Sequence, residues 1–300
     1  MLIEILLERL QPEQQADAND PMSSAINSSR GKAIEAFVDQ ALRTCRIADQ
    51  PNGSHVAEWR GFELLFDREL ARCKGANFEF STLLGAYAAQ LCYLSADWYD
   101  ANFPTIFSAD QPANCLAALS GLAYSPAKTF IYSSLQKANV IGWALRQDAL
   151  PKGARDKLLE RIALALLWEQ EGLGGPSFSY LFDENREGDL STISHFFWSV
   201  RGERLKPAHT EKVLGFWGRC VTWHEARQSP AQELLSHLSR LSCYVDAIGD
   251  REFSLMIGVA PYISVGYNAD YFMESLERLV EKNPQEVARI LTVALASYKP

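Results

Sequence analysis

DPMSSAINSSRGKAIEAFVDQALRTCR, residues 20–46, decides the fold class. Asp20 is a helix-capping residue, and Pro21 fits the first turn of a helix, where its missing N–H costs nothing. Ile26, Ile34, Phe37, Val38, Ala41 and Leu42 recur at helical steps, so one face of a helix is apolar. Gly31 costs about 1 kcal/mol against alanine in a helix interior. It therefore marks either a close approach by another helix or a break between two shorter helices. These residues predict a soluble, all-helical scaffold and name no reaction.

Upstream, MLIEILLERL is interrupted by Glu4 and Glu8 and lacks a small-residue cleavage site, so it is not a secretory signal. Leu2, Ile5, Leu6 and Leu10 predict a short amphipathic helix. No capping residue precedes it, from which the expectation is a piece of a longer chain or a fold against something upstream. Residues 11–20 are polar and read as a linker. Residues 1–19 thus form an N-terminal helix and linker, and residues 20–300 an α-helical domain.

Downstream, Pro51-Asn52-Gly53 is turn chemistry. Helices are predicted over 55–73 (Val56, Trp59, Phe62, Leu65, Phe66, Leu70), 78–94, a short one capped by Ser95 and ended by Pro104, then 114–124, 129–147 and 152–171. Residues 172–189, GLGGPSFSYLFDENREGD, are the one long irregular stretch and a place for subdivision. Asp189 caps the next helix, followed by helices over 210–225, 231–248, 251–262 with a break at Gly258 or Pro261, Asn268 to 281, and 284–297. Strand-like alternation is missing. Short connections and helix pairs spaced by about 35–50 residues predict an all-α fold, an irregular α-solenoid of stacked pairs akin to HEAT, armadillo or TPR arrays.

Composition is that of an ordinary globular chain: 300 residues, 47% hydrophobic and 22% charged. The net charge of −8 argues against broad phosphate or nucleic-acid binding and favours a protein partner or small ligand. No run approaches the length needed to cross a bilayer, so no membrane is expected. Cys45, Cys73, Cys92, Cys115, Cys220 and Cys243 are scattered without a CxxC pair, which predicts free thiols in the cytoplasm.

No motif supports a reaction. His55, His195, His209, His224 and His237 show no metal-ligand spacing, and His195 reads as a packed histidine in an aromatic helix. Gly172–Pro176 is glycine-rich but lacks the lysine and preceding strand of a phosphate loop. Asp183, Asn185, Glu187 and Gly188 echo the start of a calcium loop, but Ser194 stands where the bidentate glutamate belongs. Asp97 and Asp100 could act as an acid–base pair, yet suit a solvated helix end. No cofactor and no metal are expected. The aromatics are the candidate protein-binding residues: Tyr93, Trp98 and Tyr99 at the Asp97 segment, and Phe178, Tyr180 and Phe182 in the irregular stretch. Exposed loop aromatics are typical of recognition hot spots. The alternative is that they fold back and cover the core.

Residues 20–37 resemble a segment in the C-terminal helical regions of very large bacterial defence proteins, STAND-type NTPases and SIR2-linked relatives. The matching residues are Asp20, Pro21, Ala25, Ile26, Asn27, Arg30, Gly31, Lys32, Ala33 and Glu35. FSYLFDENREGDLSTISHFFWSVRGERL, VLGFWGRCVTW, GVAPYISVGYNADYFMESLERL and NPQEVARILTVAL are similar to later parts of that family, so the likeness spans residues 20–295. It implies a non-catalytic helical-repeat module, the sensor or interaction arm of an anti-phage protein, binding a phage protein or upstream domains of a larger chain. The competing expectations are a helical hydrolase or nuclease whose pocket gathers His195, Asp183 and a Cys or Ser, and a purely structural oligomerisation block.

Overall fold

The computed structural model describes residues 2–12, 20–202, 206–227 and 231–296. Every regular element among them is helical. The chain forms two compact units, residues 1–158 and 159–300. The division falls inside the helix Lys152–Leu167, not at the glycine-rich stretch 172–189.

The first unit begins with α1 (Leu2–Arg9), α2 (Pro21–Asn27), α3 (Ser29–Asn52) and α4 (Val56–Arg72). Asp20 Oδ1 accepts from the Ser23 N–H at 2.9 Å and caps α2. Ser28 Oγ accepts from the Gly31 N–H at 2.8 Å and caps α3. Both readings of Gly31 therefore hold, because a break at Ser28 folds α2 back onto α3. A Cβ on Gly31 would lie 1.7 Å from the Ala25 carbonyl oxygen. Ile34, Phe37, Val38, Ala41, Leu42 and Cys45 form the buried face of α3. In α1 the predicted face is corrected: Ile5 and Leu6 are exposed and Leu7 is buried. Its register is set by polar contacts. The Leu7 carbonyl accepts from Arg30 at 3.0 Å and Arg72 at 3.1 Å, and the Leu10 carbonyl accepts from Arg30 at 2.7 Å. The Leu2 side chain and linker residues 13–19 lie outside the described residues.

A 3-10 turn (Cys73–Gly75) leads to α5 (Phe78–Ala86), α6 (Ala88–Leu94), α7 (Ala96–Ile106), α8 (Pro112–Leu122), α9 (Thr129–Lys137), α10 (Val140–Leu145) and α11 (Lys152–Leu167). The helices expected over 78–94 and 129–147 are each two, parted at Tyr87 and at Asn139, whose φ is 54°. Asparagine tolerates that left-handed geometry better than most residues. The helix capped by Ser95 runs through Pro104 to Ile106, because Phe103, Ile106 and Phe107 are buried and hold it in register. At the centre α5 crosses α8 closely. A Cβ on Gly85 would fall 1.9 Å from the Ala118 carbonyl oxygen, and one on Gly121 1.7 Å from that of Thr82. Only glycine lets the two backbones meet there.

The second unit takes the end of α11 and then α12 (Pro176–Asp183), α13 (Glu187–Ser199), α14 (Pro207–Glu225), α15 (Gln232–Leu238), α16 (Asp250–Val259), α17 (Tyr267–Leu279) and α18 (Pro284–Ala296). Two 3-10 segments, Ser239–Tyr244 and Ala260–Tyr262, continue α15 and α16. The α11 helix stops at Leu167, where Lys212 Nζ donates to the Leu167 carbonyl at 3.1 Å and Glu169 turns left-handed. Lysine at a helix C-terminus satisfies an orphan carbonyl. Asp189 lies in the first turn of α13 and pairs with Arg186 at 3.1 Å, so it is not the cap. Gly266, not Asn268, precedes α17 as its cap. Phe178, Phe197, Phe216 and Trp217 are buried at the centre of this unit. Residues 203–205, Ser229, Pro230 and 297–300 lie outside the described residues. No described helix is long and apolar enough to cross a membrane.

Candidate recognition surface

Four of the six aromatics nominated from sequence, Trp98, Tyr99, Phe178 and Phe182, are core residues: of the two expectations for them, folding back over the core holds and exposure is corrected. Trp98 donates from Nε1 to Asp67 at 2.8 Å and packs edge-on to Phe66 and Trp59, 5.4 and 5.8 Å between ring centres. Tyr99 packs on Phe103 at 5.2 Å. Phe178 meets Phe216 and Phe182 meets Trp223. The cause is local: residues 172–189 are no open loop but hold α12 and the start of α13. Pro176 starts α12, and Glu171 Oε1 accepts from the Ser177 N–H at 2.7 Å, so the helix begins in a sequence that looks irregular. Tyr180 is half-buried on α12.

Tyr93 is the exposed member, and it belongs to a hydrogen-bonded cluster. Its hydroxyl donates to the Asp49 carboxylate, and its ring lies 4.8 Å from that of His55. His55 Nδ1 donates to Asp49 at 2.7 Å, and Nε2 faces the Tyr93 and Leu94 carbonyls, each at 3.0 Å. Burial works against the charged ring. The hydrogen bond to Asp49 and those to the two carbonyls outweigh it, so the His55 pKa is raised.

The residues that a hydrolase would need are dispersed. Asp183 is exposed at the end of α12 and makes none of the contacts of His195, which stacks near Trp198 and faces Arg240. The thiols are held protonated by burial, which pushes Cys73 to about 11 and Cys115 to about 12 and raises Cys220 well above its ordinary value. An activated cysteine needs the opposite shift. Asp183 ends α12 and Glu187 begins α13, and Asn185 lies in the tight connection between them, left-handed at φ 54°.

A face of the second unit that the sequence reading did not nominate is better formed. The turn at residues 263–267 puts Val265 73% and Tyr267 79% into solvent. Its backbone is nonetheless pinned. The Ser264 N–H donates to Ser236 Oγ at 3.0 Å, the two serine hydroxyls are 2.7 Å apart, and Asn268 Nδ2 donates to Ser236 Oγ at 2.7 Å. Gly266 at φ 103° makes the bend. An open depression of about 620 Å³ lies beside it, lined by Ser236, His237, Tyr262, Ser264 and Asn268 among others. The only sequence signal was Val-Gly-Tyr between two polar residues, Ser264 and Asn268, which reads equally well as a plain linker.

One helical turn along α17, Tyr271 packs against Trp198 at 4.9 Å. Arg201 lies 4.0 Å over the Trp198 ring, and the Arg240 guanidinium is 4.8 Å from it. Arg240 donates to Nδ1 of His237 and, at 3.4 Å, to Nδ1 of His195. A ring nitrogen that accepts is unprotonated. Burial, reinforced by the Arg240 charge, accordingly lowers both histidine pKa values.

No family model, no curated protein and no solved structure matches the chain.

Proposed function

We propose that the chain is a non-catalytic helical scaffold that recognises another protein through its second unit, its helix pairs stacking as in an irregular α-solenoid. The observation that carries this reading is the turn at 263–267, which holds Val265 and Tyr267 outward on a backbone fixed by Ser236 and Asn268. A pinned apolar pair loses little conformational freedom on docking. Tyrosine is also among the residues that dominate interface energetics. The likeness of residues 20–35 and of the later helices to large bacterial defence proteins supports the role of sensor or interaction arm, with a phage protein or other domains of a larger chain as partner.

Affinity capture from phage-infected bacteria tests this, using the full chain and a variant carrying Val265→Ser and Tyr267→Ala. Both residues are exposed, so the variant keeps its fold. A protein retained by the parent chain and reduced at least about tenfold with the variant is expected. Equal retention by both would remove the turn from recognition.

A further inference from the structure

The Trp198 platform holds positive charge that the second unit does not use internally. Arg240 is only 6% exposed, yet no carboxylate among the described residues lies within ion-pair distance of it. Its terminal nitrogens face two neutral histidines, and its Nε has no hydrogen-bond partner. Burying a guanidinium without a counter-ion is unfavourable, and the indole face and histidine acceptors offset only part of the cost. Arg201 is exposed above the same ring and donates to the Trp198 carbonyl at 3.1 Å. Arg278 reaches the Ser242 carbonyl at 3.2 Å, with Asp246 at 3.7 Å. Trp198 Nε1 is likewise buried without a hydrogen-bond partner. Two arginines thus meet at one indole ring in a chain whose net charge is −8.

We propose that the platform of Arg201, Arg240, Trp198 and Tyr271 docks a run of acidic side chains, aspartate or glutamate, on a partner protein. This rests on the protein-recognition reading above and gives that partner its chemistry. Arg201, exposed and stacked on the indole, presents its remaining N–H groups to a planar carboxylate, and the buried Arg240 adds its charge beside the same ring. Phosphodiester strands fit less well. Both arginines already lie over the Trp198 ring, which leaves it unavailable for stacking a base. The platform also shares α17 with the Tyr267 turn, so an acidic segment would sit beside an apolar anchor.

Fluorescence anisotropy with two labelled probes, octaglutamate and an oligothymidylate of equal charge, tests the proposal on the full chain, Arg201→Glu and Arg240→Gln. Octaglutamate is expected to bind, to weaken with salt, and to lose about tenfold in affinity with Arg201→Glu, the worth of one charge-assisted contact. Arg201 is exposed, so that variant reads binding even where Arg240→Gln fails to fold. The oligothymidylate is expected to bind at least about tenfold more weakly. Absence of octaglutamate binding, equal binding by Arg201→Glu, or equal binding of the oligothymidylate would overturn the proposal. Any of these results alongside lost capture by the Val265/Tyr267 variant would refute the acidic partner alone. Unchanged capture by that variant would instead refute the recognition reading beneath it.

Discussion

Arg30 is the side chain on which the start of the first unit depends. Buried at the junction of α1, α3 and α4, it pairs with Glu69, donates to Asn77 Oδ1 at 3.3 Å, and donates to two carbonyls at the end of α1. Arg30→Ala would take one of two arginines from the buried Glu69 carboxylate, which keeps Arg72 at 3.0 Å and Asn77 at 3.3 Å, a loss of about 2–3 kcal/mol. Urea denaturation should show it, and a change below about 1 kcal/mol would contradict the assignment. The histidines give a second test, because the two units respond to pH with opposite sign. His195, His224 and His237 have lowered pKa values, chiefly from burial. Their contribution is complete above the ordinary histidine value and is lost as pH falls through their lowered ones. His55 is raised, so its contribution is complete below the ordinary value and is lost as pH rises through the raised one. Three groups oppose one, and thermal stability should fall between about pH 7.5 and about pH 5.5. His237→Gln should flatten that fall, since a glutamine carries no proton to gain; an unaltered pH profile would contradict it.

Among elements, the crossing of α5 and α8 sets the first unit. Gly85→Ala or Gly121→Ala would gain about 1 kcal/mol of helix propensity. The added methyl, however, meets backbone that cannot yield, at 1.9 and 1.7 Å. Overpacking of about 3 kcal/mol or more wins. Gly61→Ala, on the exposed side of α4 with open space around it, should instead stabilise by about 0.5–1 kcal/mol. Parallel chemical denaturation of the three variants reads the sign directly. Helix type was legible because apolar residues such as Trp59, Phe62, Phe66 and Leu70 recur at a single period. Caps were legible where the side chain itself bonds the backbone, as at Asp20 and Ser95. Breaks without glycine or proline were not. Tyr87 and the left-handed Asn139 interrupt helices, while Pro104 is carried through one by buried neighbours. Asn139 left a faint signal as an asparagine, and Tyr87 left none.

On the scale of the molecule, the recognition face was the least legible part. Trp98, Tyr99, Phe178 and Phe182 looked like surface aromatics because their helices are short and flanked by acidic residues, yet each fills a core. Val265 and Tyr267 fell between two predicted helices, in what reads as a plain linker, and the position of their turn depends on Ser236, nearly thirty residues away in the chain. Such long-range hydrogen bonds leave no local pattern. The all-helical class follows from periodicity, whereas the face that meets a partner follows from which side chains remain uncovered. The claim that this face engages a protein is tested most directly by a photo-crosslinking amino acid placed at position 267, with position 64 as control. Leu64 is 76% exposed in the first unit. In phage-challenged bacteria, a discrete protein adduct is expected from position 267 and none from position 64. Equal adducts from both positions, none from 267, or an adduct to nucleic acid would contradict it.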